Sequence, residues 1–261
     1  MERPADPQLF RLKVREGQWE RSTAGVCPGY VQANLVILPR SLAFDFALFC
    51  LRNPKPCPVL EVLDPGDPIV KEVAPGADIR TDLPMYRIFK KGLLVEERKE
   101  IKDYWSEDLV AFLIGCSYTF EEALVKGGIP LRSFLEGRDP AIYITDIPCR
   151  PAGPFSGPMV VTMRPIPGHL VSKAVQITSR LPRVHGAPVH IGDGSAIGVT
   201  DLEKVDFGGP PDLREGEVPV FWACGVTPQV VALKAKIPFM ITHKPGHMFV
   251  SDLKIEEIME G

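Results

Sequence analysis

One short pattern occurs twice in this chain and constrains the rest of it. Residues 110–130 read VAFLIGCSYTFEEALVKGGIP, and residues 218–238 read VPVFWACGVTPQVVALKAKIP. Each copy has an apolar run, a cysteine, a threonine three residues later, and Ile-Pro ten and eleven residues after that threonine. The first copy carries Cys116, Thr119 and Ile129-Pro130; the second carries Cys224, Thr227 and Ile237-Pro238. Thr119 stands three residues before Glu122, a capping-box spacing, and Gly127-Gly128 supply the stop. Pro228 occupies the first helical position, where its missing N–H costs nothing. Strand, tight turn and helix in that order predict a parallel-sheet unit, made twice.

Such a repeat sets two thiols at the carboxyl ends of two buried strands, each beside the positive end of a helix. Open α/β sheets bind ligands there, free backbone N–H groups hold anions there, and a thiol pKa falls there. Cysteine is also a common buried small residue, so plain packing stands beside the functional reading for either thiol.

The 261 residues suffice for one large domain or two smaller ones. The 27 prolines are about twice the usual share and imply rigid turns rather than long helices. A net charge of −3 gives no electrostatic reason to expect nucleic acid or an anionic membrane as partner. No apolar stretch reaches spanning length, and residues 1–15 do not read as a signal peptide. Six cysteines, widely spread and with no Cys-x-x-Cys pair, predict a reduced, cytoplasmic protein.

Along the chain, residues 7–16 suit an amphipathic helix and residues 41–50 another. Tyr30, Gln32 and Asn34 alternate with apolar neighbours. Residues 59–63 read as a buried strand, and residues 86–89 and 93–97 flank Lys90-Lys91-Gly92 as a hairpin. After Pro130, strands at 141–145 and 159–164 bracket the Pro-Gly loop DIPCRPAGPFSGP. A helix over 169–180 and a strand at 189–191 follow, then strands at 239–242 and 248–251. This order predicts an α/β body over 1–135 and 205–261, with an α+β subdomain inserted at 136–204.

Four histidines fall at loop–strand junctions: His185 and His190 in HGAPVHIGD, His243 and His247 in HKPGH. Pro245-Gly246 rules out a helical H-x3-H metal pair, so no metal is assigned. His185, His190 and His243 are candidate acid–base groups near neutral pH, against the plainer role of bonding loop carbonyls. Asp193 could orient His190 or merely form the turn. Arg150, in a loop stiffened by Pro148 and Pro151, is the favoured carboxylate fork over Arg164, Arg180 and Arg183, with Ser156 and Gly157 as added donors. Ser117, Thr119, Gly225 and Thr227 in the two turns, with Gln32 and Asn34, complete the candidate binding set. No nucleotide loop or nucleophile elbow is present.

The segments TAGVCPGYVQANLVILP, RNPKPCPVLEV, DLVAFLIGCSYTFEEAL, IPCRPAGPFSGPMVVTMRPIP, HGAPVHIGD, PVFWACGVTPQ and ITHKPGHMFVSD resemble the bacterial hydro-lyase family related to D-glutamate cyclase. The match covers residues 22–252. The resemblance implies a three-layer α/β/α body with a largely parallel sheet and a two-layer subdomain, and removal of water from a small acidic amino acid. D-glutamate closing to 5-oxo-D-proline is the activity it points to, with no cofactor and with room for a homo-oligomer. On this reading helix N-termini and Arg150 hold carboxylates, a histidine moves protons, and Cys116 or Cys224 is a nucleophile or only a neighbour. A metal-dependent dehydratase of a hydroxy acid and a non-catalytic carboxylate-binding module are the rival readings.

Overall fold

The computed structural model describes residues 4–259; residues 1–3 and 260–261, at the outer ends of the expected body, lie outside the described residues. Helix α1 (Pro7–Arg15) starts where the Asp6 carboxylate accepts the Leu9 N–H at 2.8 Å, and it buries Phe10 and Val14. Next come strand β1 (Tyr30–Pro39), helix α2 (Arg40–Arg52) and strand β2 (Val59–Val62). The expected hairpin is β3 (Tyr86–Lys90) and β4 (Leu93–Arg98). The first copy of the repeat is β5 (Leu109–Gly115) and α3 (Tyr118–Lys126), followed by the short α4 (Arg132–Glu136). Then come β6 (Ala141–Pro148), β7 (Pro158–Pro167), α5 (Val171–Ser179), β8 (His190–Ile191) and β9 (Phe207–Gly208). The second copy is β10 (Glu217–Ala223) and α6 (Thr227–Lys234), and the chain closes with β11 (Phe239–His243) and β12 (Phe249–Lys254).

Two sheets result. The first has the order β2-β5-β1-β11-β3-β4, with β12 also on β1; the second runs β8-β10-β7-β6-β9. Every strand pairing in both is antiparallel. This overturns the expected α/β/α body with a largely parallel sheet: the fold is two antiparallel sheets with few helices. The physical reason lies in β5, which is buried at all seven positions although it runs antiparallel to β1 and β2. Uninterrupted apolar runs report cover on both faces of a sheet, and parallel pairing is only the commonest way to get it. The helix after β5 does not cross over to a parallel neighbour. It leads through α4 into β6, on the other sheet, and β10 likewise pairs with β7 and β8 there.

One face of β1 contributes Leu35 and Ile37 to the largest core, where they join Ile166, Val220 and Trp222 from the second sheet and Phe120 and Leu124 from α3. The Trp222 indole N–H is satisfied by Thr178 Oγ1 at 3.2 Å. The other face places Val36 and Leu38 against Phe46 and Phe49 of α2 and Val231 of α6. The first sheet is therefore covered on both sides. Among the described residues no helix is long and apolar enough to cross a membrane.

Candidate functional site

The two copies of Cys-x-x-Thr do the same local work in different sheets. Cys116 N–H donates to Gln32 O at 3.0 Å, and Gln32 N–H donates to Thr119 Oγ1 at 3.0 Å. Cys224 N–H donates to Val160 O at 3.0 Å, and Val160 N–H donates to Thr227 Oγ1 at 3.0 Å. Each turn thus pins the strand beside it, β1 in one case and β7 in the other, by an identical pair of bonds. That duty displaces the expected capping box. Thr119 spends its hydroxyl on β1, while Glu122 takes the Gly29 N–H and pairs with Lys126.

Two residues beyond each pinned position stand Asn34 and Thr162. Both line one cleft, together with Cys116, Ser117, Tyr118, Asp139, Cys224 and His243. The two turns therefore face a common hollow from opposite sheets. Glycine is required at the second turn: a Cβ on Gly225 would lie 1.9 Å from the Asn34 side-chain nitrogen, which donates to Gly115 O at 2.8 Å. At the first turn, a Cβ on Gly115 would lie 2.1 Å from the Arg183 carbonyl oxygen. Among the described residues the Ser117 and Gly225 backbone N–H groups have no hydrogen-bond partner, so each turn keeps a free donor at the head of its helix.

Arg164 on β7 is fully buried behind this cleft. Its Nε and Nη2 donate to Glu121 Oε1 at 3.0 and 2.6 Å, Nη1 to Thr162 Oγ1 at 2.8 Å, and Nη2 to Ser117 Oγ at 3.1 Å. Its guanidinium also sits 5.0 Å from the Phe120 ring centroid. The bonds to Ser117 and Thr162 fix polarity. Each hydroxyl oxygen accepts from a cation, so each hydroxyl proton is free to point elsewhere; that of Thr162 has only a long 3.5 Å contact to Ala141 O. Ser117, on the cleft wall, is a donor charged from behind. Burial raises the Glu121 carboxyl pKa, and the adjacent guanidinium opposes the rise.

His243 is buried at the cleft wall, with Nδ1 accepting the Leu35 N–H at 3.1 Å and 3.2 Å from Gln229 Nε2. Burial lowers its pKa to about 3, so the ring is neutral at pH 7 and carries its proton on Nε2. The thiols do not behave as helix-end thiols are expected to. Tyr118 N–H meets Cys116 Sγ at 3.5 Å, yet burial outweighs this and pushes the Cys116 pKa up, and that of Cys224 up to about 11. Both are neutral thiols at pH 7. Iodoacetamide at pH 7.5 should therefore label Cys116 and Cys224 in the folded protein at least ~100-fold more slowly than a free cysteine. Peptide mapping after timed quenching reads this, and rapid labelling of either would refute the burial argument.

The cleft gathers Asn34, Ser117, Cys116, Cys224 and His243 of the expected residues, with Thr119, Thr227 and Gly225 shaping its turns. Gln32 is buried beside it, its Nε2 bonded to Thr23 O at 2.8 Å and its Oε1 without a partner among the described residues. His185 lies buried outside the cleft lining, with Nδ1 2.9 Å from Lys55 O, Nε2 without a close hydrogen-bond partner among the described residues and its pKa lowered by burial to about 4. His190 stands on β8 with Nε2 2.7 Å from Asp193 O. Arg150 is exposed, and its backbone exchanges bonds with the Asn53 amide at the end of α2. Gly157 of the same loop packs on Val231 of α6. This loop, Ser156 included, borders the α2–α6 face and does not contribute to the cleft lining. The guanidinium that serves the cleft is Arg164, one strand-face step from Thr162. Asp139 and Tyr118 also line the cleft and were not among the expected site residues. Among the described residues no group of three or more His, Cys, Asp or Glu is placed to hold a metal ion.

The fold is an antiparallel two-sheet protein with a cleft lined from both sheets. A model of the D-glutamate cyclase family matches residues 110–252, over half of the chain, a span holding both Cys-x-x-Thr turns, Asp139, Arg164 and His243. A Thermoanaerobacter sp. (strain X514) protein named "Putative hydro-lyase" is 61% identical over 250 residues, 96% of this chain and 94% of that protein. One of Geobacillus kaustophilus (strain HTA426), also named "Putative hydro-lyase", is 58% identical over 255 residues, 98% and 97% of the two chains. A nitrogen repressor-like protein from Methanococcus jannaschii superposes over 99% of each chain with a TM-score of 0.42 and 11% identity, too slight a likeness to carry argument. The chain belongs to the D-glutamate cyclase family, as its motifs led us to expect.

Proposed function

We propose that this protein is a hydro-lyase that closes D-glutamate into 5-oxo-D-proline with release of water. The observation that carries the reading is the meeting of two donor-bearing turns, one backed by a buried guanidinium, on a single cleft. A family whose model is that of D-glutamate cyclase supplies the substrate class. Six free, buried cysteines suit a reducing compartment, which supports a cytoplasmic place in amino-acid metabolism.

Ring closure joins an amine to a carboxyl of the same molecule, so the substrate itself supplies proximity. The nitrogen starts with three protons and ends with one. A C–N bond forms at the γ-carbon, one C–O bond breaks, and the two protons lost by nitrogen leave with that oxygen as water. What the protein must add is stabilisation of negative charge on the γ-carboxyl as it becomes tetrahedral. Ser117 hydroxyl, polarised by Arg164, the free Ser117 N–H and the neutral His243 Nε2–H are the donors available for it. A neutral imidazole donor is well matched to an oxyanion, since it polarises without giving up its proton to solvent at pH 7. Because both thiols are protonated, the reading needs no covalent intermediate.

Purified protein incubated separately with D- and L-glutamate, and followed by mass spectrometry for loss of one water, tests this. Cyclisation of the D form well above the spontaneous rate is expected, with the L form at least ~10-fold slower. If neither enantiomer closes, while a hydroxy acid in the same screen loses water, the reading is wrong.

A further inference from the structure

Among the ionisable side chains lining the cleft, one is an acid with no cation beside it. Asp139 accepts a hydrogen bond from the Tyr118 hydroxyl, and Ser22 Oγ donates to the same oxygen, Oδ1, at 3.2 Å. Its other oxygen faces Gly246, where a Cβ would come within 2.9 Å of Oδ2 on a backbone already at φ +82°. No ion pair reaches Asp139 among the described residues. The neighbouring Arg138 is committed to Glu136 and Asp212, and Arg164 is committed to Glu121. Three separate segments, those bearing Ser22, Tyr118 and Gly246, thus hold a carboxylate in a cleft whose other polar lining, from Asn34, Cys116, Ser117, Thr162, Cys224 and His243, supplies no cation. A carboxylate held in place with two neutral donors and no counter-ion is a socket for a small cation.

We propose that Asp139 is the amine subsite of the cleft and the proton acceptor for its ligand. The ligand class is an acidic amino acid, whose ammonium sits on Asp139 while carboxylate faces the Ser117 turn. This deepens the function proposed above and rests on it for the chemical step. In that step one ammonium proton passes to Asp139, the freed nitrogen pair forms the C–N bond, and the carboxyl so protonated returns its proton to the departing oxygen. The second nitrogen proton leaves in the same water, so Asp139 ends as it began and no net proton is consumed. Tyr118 is a positioning residue here, because it touches the carboxylate and fixes which oxygen is free.

The Asp139→Asn variant tests the assignment, since the amide keeps the shape and can still accept from Tyr118. Two readouts are taken: turnover of D-glutamate, and calorimetric affinity for D-glutamate against glutarate, the same dicarboxylate without an amine. In the natural protein D-glutamate should bind at least ~10-fold more tightly than glutarate. In Asp139→Asn the two should come within ~2-fold, with glutarate affinity unchanged or better, and kcat should fall at least ~100-fold. Asp139→Glu should keep the preference for the amine while losing most of kcat, a split that a purely structural role would not give. Should the amide variant fail to fold by circular dichroism, Asp139→Ser, which adds no bulk against Gly246, reads the same affinity ratio. Retention of the amine preference in a folded variant lacking the carboxylate, or its absence in the natural protein, would overturn the subsite. If the natural protein prefers D-glutamate, loses that preference with Asp139, and cyclises nothing, the subsite stands and the proposed reaction falls. If it cyclises D-glutamate and Asp139→Asn does so equally well, the reaction stands and the subsite falls.

Discussion

Replacing Arg164 by Met should lower unfolding free energy by about 3–5 kcal/mol at pH 7.5, the usual cost of stranding one member of a buried ion pair. Glu121 is 1% exposed and its carboxyl has no cation other than Arg164 among the described residues. Ser117 and Thr162 lose their charged donor in the same stroke. Urea titration of the single and double variants separates these effects. Arg164→Met with Glu121→Leu should recover most of the stability, because an apolar pair of similar volume avoids the desolvation cost that the ion pair carries. Turnover should not recover with it, since the Ser117 hydroxyl stays unpolarised. A single variant costing under ~1 kcal/mol would show that the pair is not the support we describe. A double variant as active as the natural protein would remove Arg164 from the site.

The boundaries of individual elements were legible because hydrophobic runs, Pro and Gly act locally. The hairpin around Lys91-Gly92 and the helix ending at Gly127 stand where the residues put them. Strand direction was not legible, since β5 is buried throughout and β10 over its last four residues, and covered strands look alike whichever way their neighbours run. The recurrence of Cys-x-x-Thr was the useful signal for the site, and its cause is a backbone bond to an adjacent strand, which no single copy would reveal. Arg150, favoured for its stiff loop, lies apart from the cleft. Two prolines do hold that loop, but they hold it against Asn53 and α2. The better pointer was alternation: Thr162 and Arg164 are two apart on one strand and so share a face. Asp139 carried no such mark, because a lone Asp-Pro before a strand reads as a turn, and only the fold brings Tyr118 and Gly246 to it.

Acidification from pH 6.5 to 5 should destabilise the fold by about 1 kcal/mol per pH unit for each of His185 and His243. Burial depresses the two folded-state pKa values to about 4 and about 3, below the ordinary histidine value of 6.5 that the unfolded chain regains. In that window the unfolded state binds protons at both rings and the native state at neither, so their contribution to stability is complete above pH 6.5 and declines as the pH falls. Urea unfolding at half-unit steps of pH gives the slope directly. His185→Asn should cut the slope by roughly half, because it removes one titrating ring while asparagine tolerates the left-handed backbone there, at φ +82°. A variant with the slope of the natural protein would place the pH sensitivity elsewhere, and a flat profile in the natural protein would mean that one or both imidazoles accept a proton without leaving the fold. For His243 that outcome would also free Nδ1 from the Leu35 N–H, changing the ring from a fixed donor into a group able to exchange protons with the cleft.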